Sequence, residues 1–370
     1  MQVNFSEALQ NLGRDAAVRI ARAVRPPGNY LFASLLPDRM EDAYFAESGT
    51  MTVKTTMAGM ASMDSPYPPG GFVSESVFQE QTLKLAVEAT LNEATLRKLQ
   101  ALVTRLMLTG GNTNEALSTE MLNFLQKVGV QAIMDTAEWL RGQALVTGEI
   151  DWTFNQKTVA VDYGIPAANL LTNKTGNDRY GGSSSDFWAD VFEAQRLLRY
   201  NVRAAILNST LMNQILGNDA NNLDLISRNG NTFTVKKFKT EGGNRVAETD
   251  PRAMFSFTVY DEEAEILDPT DSENTITVPF MPTGKILFIG NNNASGYRVG
   301  QGSTDDPTDA LALGYTHVGP TVEGGGVPGM WARLYTPEGR PWQLTAQAVE
   351  NMLPVIENAE KIVVASTDMA

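Results

Sequence analysis

TNEALSTEMLNFLQKVGVQAIMDTAEWLRGQALVTG, residues 113–148, carries the clearest periodicity of the chain. Between Glu115 and Val146 the apolar residues Leu117, Met121, Phe124, Leu125, Val128, Ile133, Ala137, Leu140 and Ala144 recur at three- and four-residue spacings. That period stacks side chains on one face of a helix. Asn114, or Thr113 before it, can cap the start by accepting backbone N–H bonds. Gly148 is placed to end it, because glycine adopts left-handed dihedrals without steric cost. Gly129 weakens the middle by about 1 kcal/mol relative to alanine, so a bend is expected there.

Upstream, the ends of the stretch Thr50–Leu91 alternate in strand fashion around a middle rich in turn residues, which predicts a long hairpin. Met51 and Val53 alternate with Thr52 and Lys54 on the outgoing side. On the return side Leu83, Leu85, Val87, Ala89 and Leu91 alternate with Lys84, Ala86, Glu88, Thr90 and Asn92, which puts the apolar set on one face. The tip, Gly59–Gly71, holds Pro66, Tyr67, Pro68, Pro69, Gly70 and Gly71, with Phe72 beside it. A two-stranded hairpin has little core of its own and is marginal in water, so it needs a neighbour to lie on. Further upstream, Phe5, Leu9, Leu12, Ala16, Ile20 and Val24 make an amphipathic pattern that stops at Pro26, Pro27 and Gly28. It reads as a short helix in a surface arm.

Downstream come Ile150–Ile165, with Trp152 and Phe154, and then the Gly- and Ser-rich loop Thr175–Ser185. A second compact region follows. Its helices are expected over Asp186–Tyr200 and Leu211–Leu216, around the apolar run Ala204–Leu207, and its strands near Phe233–Phe238, Phe255–Tyr260 and Ile286–Ile289. Helices mixed with short strands predict an α+β fold. Late in the chain Gln343, Thr345 and Gln347 alternate with Leu344, Ala346 and Ala348, a strand with one wet face, and Ile362–Ala365 closes the sequence. No period of about twenty to fifty residues repeats, which argues against solenoids and propellers.

Composition narrows the function. The 370 residues are 42% hydrophobic and 19% charged, a folded globular profile. With no cysteine, disulfides, thiolate catalysis and cysteine-ligated metal centres are excluded. The formal charge of −14 is opposite in sign to that of proteins that neutralise phosphates, which disfavours tight binding to DNA or a membrane surface. The N-terminus has no continuous apolar run ahead of a small-residue cleavage site, so no signal peptide is expected, and no stretch approaches the roughly 20 apolar residues of a membrane span.

Residue patterns that carry chemistry are few. His317 is the single histidine, so a triad or a multi-histidine metal site lacks partners and a structural role is expected. Pro282-Thr283-Gly284-Lys285 ends like a phosphate loop, yet Pro279 stands where the first glycine belongs and removes a needed N–H. Gly300-Gln301-Gly302 starts like a dinucleotide fingerprint, yet Asp305 occupies the third glycine position. The acidic clusters Asp261–Asp271 and Asp305–Asp309 lack the spacing of a calcium loop and read as solvated loops. The sequons at Asn173, Asn208 and Asn293 matter only in a glycosylating pathway. No catalytic residue, metal ligand or cofactor site is assigned.

Four stretches carry a family resemblance. They are the apolar-then-proline entry Leu31–Asp38, the hairpin with Ser65-Pro66 near its tip, and Leu145-Val146-Thr147-Gly148 leading into Val161-Asp162-Tyr163-Gly164. The fourth is the block Gly314–Glu323 followed by Met352-Leu353-Pro354-Val355. In this order they resemble the lambda head-protein E family of tailed-bacteriophage major capsid proteins, with the Hong Kong 97-like fold.

The resemblance implies an N-terminal arm (1–47), an extended hairpin loop (48–90), a peripheral domain with the long spine helix (91–165 with 317–350) and an axial α+β domain (166–316 with 351–370). It implies a subunit without enzymatic activity that self-assembles as pentamers and hexamers into an icosahedral head, built in the host cytoplasm and enclosing double-stranded DNA without reading its sequence. The inter-subunit contact candidates are the loop-tip residues Pro66, Tyr67, Pro68, Pro69 and Phe72. The implied partners are other copies, a decoration protein, a portal protein and, since the chain starts at Met1, a separate scaffold. Some members of the fold cross-link through a loop lysine; the tip here has none, with Lys54 and Lys84 on its stems, so no covalent cross-link is expected. An encapsulin-like compartment shell and a carboxylate-based hydrolase are the alternatives.

Overall fold

A computed structural model describes residues 14–54, 72–98, 101, 113–154, 157–241, 244–267, 275–291, 313–337 and 343–369. In chain order these form α1 (Arg14–Ala23), α2 (Leu31–Leu35), β1 (Asp38–Met40), β2 (Phe45–Lys54), β3 (Phe72–Gln81), β4 (Leu83–Leu91) and α3 (Thr113–Phe124). A π-helical turn, Leu125–Val130, joins α3 to α4 (Gln131–Thr147), and then come β5 (Glu149–Phe154), β6 (Lys157–Asp162), α5 (Phe187–Leu197), β7 (Val202–Leu207) and α6 (Ser209–Gly217). The remaining strands are β8 (Leu223–Asn229), β9 (Thr232–Glu241), β10 (Asn244–Ala247), β11 (Met254–Val259), β12 (Glu263–Leu267), β13 (Thr275–Pro279), β14 (Lys285–Gly290), β15 (Gly314–Gly319), β16 (Trp331–Tyr335), β17 (Leu344–Ile356) and β18 (Ile362–Ser366).

The long helix is present as one continuous run from Thr113 to Thr147. Gly148 ends it with φ 76°, the left-handed cap that a residue without Cβ adopts without strain. The bend expected at Gly129 takes the form of the π-helical turn, and a Cβ on Gly129 would lie 3.2 Å from the Cβ of Ala348 on β17. Bringing the helix that close to the sheet explains why the position is glycine.

Two hydrophobic cores share one sheet. The seven-stranded sheet runs β10-β9-β11-β7-β14-β18, with β8 also on β9. Alternate residues of its central strands face opposite sides: Ile206, Leu287, Ile289, Ile362 and Val364 enter the larger core, while Ala205, Leu207, Ile286, Phe288 and Val363 enter the smaller. Burial on both faces is what turns these strands into near-continuous apolar runs. The smaller core is closed by α5 and α6 through Phe187, Val191, Leu211 and Ile215. The larger is built on α4 and a five-stranded sheet, in which β17 pairs antiparallel with β4, β15 and β16, and β1 lies parallel to β15.

Three readings need correction. Leu83–Leu91 does not return against the outgoing strand; β2 pairs with β3 from Phe45↔Gln81 to Lys54↔Phe72, and β4 instead pairs with β17 from Leu83↔Met352 to Leu91↔Leu344. Alternation specifies the two faces of a strand and not its partner, which is why the sequence left this open. The helix before Pro26 packs on β16 and buries Ala17 and Ala21 in the larger core, so α1 contributes to the core and is not only a surface arm. The late strand is less wet than its pattern suggests, because Thr345 is 1% exposed, with its hydroxyl 3.1 Å from that of Thr90.

Candidate assembly surfaces

A buried ionic joint ties together elements that are far apart in the sequence. Arg141 on α4 bonds the Asp38 carboxylate through Nη2 at 2.5 Å and the Thr316 hydroxyl through Nε at 2.9 Å, and its Nη1 lies 3.4 Å from Glu138. Glu138 in turn accepts from the Phe32 N–H at 2.7 Å and the Tyr260 hydroxyl at 2.8 Å. One cluster thus joins α2, β1, α4 and β15 to the residue that follows β11. Burial raises the Glu138 carboxyl above its ordinary value, and Arg141 opposes the rise. A charge so far from water persists only when it is paired and hydrogen-bonded, and here Arg141 and Glu138 pair within α4 while Phe32, Asp38, Tyr260 and Thr316 reach them from other parts of the chain.

Beside this joint a cavity of about 40 Å³ lies beneath α1 and is lined by Ala21, Asp38, Arg141, Met330 and Glu350, among others. Burial, and then the neighbouring Asp38 charge, push the Glu350 carboxyl up to about 8 against the pull of Arg141.

Among the described residues the five-stranded sheet has one face on the spine helix and leaves Ala86, Glu88, Thr90 and Arg333 exposed on the other, the bare face, where Val349 and Thr345 are nonetheless buried. The bare face is a ladder across three strands. Ala86, Val349 and Trp331 form one rung, Glu88, Gln347 and Arg333 the next, and Thr90, Thr345 and Tyr335 the third. Gln347 is the hub: its amide oxygen accepts from Arg333 Nε at 2.7 Å, and its Nε2 donates to the Tyr335 hydroxyl at 3.1 Å and to Glu88. The Arg333 guanidinium lies 4.4 Å from the Tyr335 ring centroid and 5.5 Å from that of Trp331. At one end Lys84 pairs with Glu323 at 2.5 Å, and the ammonium holds that carboxyl below its ordinary value. The groove over this face measures about 610 Å³. Trp, Tyr and Arg on a rigid floor are the residue types that dominate protein interfaces.

The loop-tip candidates Pro66, Tyr67, Pro68 and Pro69 lie outside the described residues, and Phe72 is the first residue of β3, opposite Lys54. The bare sheet face was the surface that sequence reasoning missed. Its signal was present in Trp331, Arg333 and Tyr335, spaced by two in a strand whose intervening Ala332 is buried. His317 is fully buried in β15. Asn208 caps α6 by accepting from the Leu211 N–H at 2.9 Å, and Asn173 bonds Asp368 at 2.7 Å, so two of the sequon asparagines serve local structure. The Gly300 motif, the second acidic cluster and Asn293 lie outside the described residues. Among the described residues no group of three or more acidic or histidine side chains could hold a metal, and no helix is long and apolar enough to cross a membrane.

Comparison with known proteins follows the same line. No curated protein matches the sequence. Among solved structures, a prophage protein of E. coli CFT073 described as a capsid protein aligns over 100% of both chains at 12% identity with a TM-score of 0.55, which shows a shared fold. A Mycobacterium phage Patience chain (10% identity, 100% of this chain and 90% of that one, TM-score 0.42) is similar at a level that carries no argument. The same holds for the holo-SrpI encapsulin of Synechococcus elongatus PCC 7942 (10% identity, 99% and 96%, TM-score 0.41). The family model of phage major capsid protein E matches residues 45–308, well over half of the 370. The chain belongs to the phage major capsid protein E family, a structural and not an enzymatic family, and its function is to form the head shell of a phage.

Proposed function

We propose that the subunit assembles head to tail as pentamers and hexamers into an icosahedral head that encloses double-stranded DNA, with the β2–β3 hairpin of one copy lying on the bare sheet face of the next. The observation that carries this reading is the hairpin itself. Ten residues of β2 pair with ten of β3, and the pair joins neither of the larger sheets. Two strands alone are marginal in water, so a neighbouring copy supplies the missing layer. Burying apolar surface there contributes roughly 25 cal/mol per Å².

In this reading the extended loop is drawn as residues 45–81, the peripheral domain holds the five-stranded sheet with α3 and α4, and the axial domain holds the seven-stranded sheet. Head-to-tail contacts satisfy every subunit of a ring, and small bends between rings let one set of contacts build both five- and six-fold clusters. The charge of −14 suits a container whose wall must not hold its DNA. A decoration protein, a separate scaffold and a portal protein are the further partners, and assembly takes place in the host cytoplasm.

Expression of the chain alone, read by negative-stain electron microscopy beside a sizing column, tests the reading. Rings, tubes or closed shells are expected, and replacing Tyr67 and Phe72 together by serine should return the protein to small species. Shells that form unchanged from that variant would overturn the assigned role of the hairpin tip.

A further inference from the structure

His317 lies where both stems of the β2–β3 hairpin leave the five-stranded sheet. Its ring is fully buried, with Nε2 2.9 Å from the Ala43 carbonyl oxygen, two residues before β2. Nδ1 is 3.4 Å from Oε2 of Glu41, whose other oxygen holds Arg39 Nε at 2.7 Å. On the second stem Thr82, between β3 and β4, donates its N–H (3.3 Å) and its hydroxyl (3.1 Å) to the Tyr44 carbonyl. The ring and Thr82 therefore grip adjacent carbonyls of one short segment. That segment lies tight on β15, since a Cβ on Gly319 would be 3.0 Å from the Ala43 oxygen.

The chemistry of the contact follows from what each atom can do. A carbonyl oxygen only accepts, so Nε2 carries the hydrogen in the bond to Ala43. The neutral ring then points the Nδ1 lone pair at a carboxylate, whereas the protonated ring points an N–H at it. Nδ1 has no hydrogen-bond partner among the described residues, so no other group relieves that mismatch. We propose that His317 is a proton-operated clamp on the root of the hairpin: the protonated ring ties Glu41 and Ala43 to β15 and fixes the angle at which the hairpin leaves, and loss of the proton loosens it.

The neighbouring charges leave this assignment to one carboxylate. Among the described residues Glu41 is the carboxylate within ion-pair distance of the ring, and Arg39 on β1 shares it. Asp38 on β1 and Glu138 on α4 are engaged by Arg141. Lys84 on β4 is held by Glu323, and Glu350 on β17 lines the cavity beneath α1. Asp42 follows Glu41 and is exposed.

The clamp concerns one subunit and stands whether or not the shell reading does. Hydrogen–deuterium exchange of the full chain at about pH 5.5 and about pH 8, corrected for intrinsic exchange, tests it on peptides covering residues 41–46 and 80–83. The wild-type chain should open these stems roughly threefold or more faster at the higher pH. Glu41→Gln should flatten that dependence while keeping the bond to Ala43, and His317→Gln should leave fast exchange at both pH values. If the histidine variant fails to fold, Glu41→Gln, on a side chain 25% exposed, carries the test alone. A wild-type chain with no pH dependence in these peptides, or a Glu41→Gln chain that keeps all of it, would overturn the proposal.

Discussion

Arg141 is the cation of the buried ion cluster on α4. Its side chain is 3% exposed and Glu138 beside it is 0% exposed. Replacing Arg141 by methionine keeps most of the volume and leaves Glu138 buried without its cation, so the unassembled subunit should lose about 3–5 kcal/mol in urea unfolding. Glu350 gives a second test, through pH. Its folded value of about 8 lies above the ordinary glutamate range, so the folded chain keeps a proton that the unfolded chain has already released. The stability tied to that proton is fully present below about pH 4.5, declines as pH rises toward 8 and is absent above it. Glu350→Gln should remove the decline, stabilising the subunit at pH 8 by on the order of 2 kcal/mol, less than the full shift because the residue keeps some exposure, and changing little at pH 4.5. Thermal melts of both proteins across that range check it.

Among the elements, the spine helix is where sequence and structure agree most closely. Its apolar period, its glycine stop and the disturbance at Gly129 could all be read in the sequence, because each depends on neighbours within a turn or two. That the disturbance is a π turn could not, since it depends on Ala348 in a strand more than two hundred residues later. The same long-range dependence hid the partner of β4. Its alternation fixed which face was apolar, while the choice between Met51–Lys54 and Leu344–Met352 as partner is a tertiary outcome. The bare face was half legible: Lys84, Glu88 and Gln347 stood on polar sides of alternating strands, but Trp331, Arg333 and Tyr335 joined them only once β16 was placed against β17. Gly142 marks how tightly the helix is seated, as a Cβ there would stand 2.6 Å from the Phe280 carbonyl oxygen and 3.0 Å from the Phe32 ring. Gly142→Val should therefore destabilise the subunit by about 2 kcal/mol, an overpacking cost that calorimetry would register as a lower Tm.

For the whole molecule, two cores lie on opposite faces of one sheet, and the β2–β3 hairpin pairs with neither of the larger sheets. Stability and assembly should therefore separate. Replacing residues 55–71 by a two-residue Asn-Gly turn should leave the melting temperature within a few degrees of wild type while abolishing large species on a sizing column. The class of the molecule was legible through the family resemblance carried by Leu31–Asp38, the hairpin, Leu145–Gly164 and the Gly314–Val355 block in their order, while the single histidine and the absence of cysteine only argued against particular chemistries. The contacts between copies were not legible, because a single sequence holds no record of which face meets which. Cryo-electron microscopy of particles assembled from the chain, with scaffold supplied if needed, bears on this most directly. The account predicts a closed shell of five- and six-fold rings in which density for the β2–β3 hairpin crosses onto the Trp331, Arg333 and Tyr335 face of the adjoining subunit. A chain that stays monomeric even with its scaffold, or a shell in which that face is left open to solvent, would contradict it.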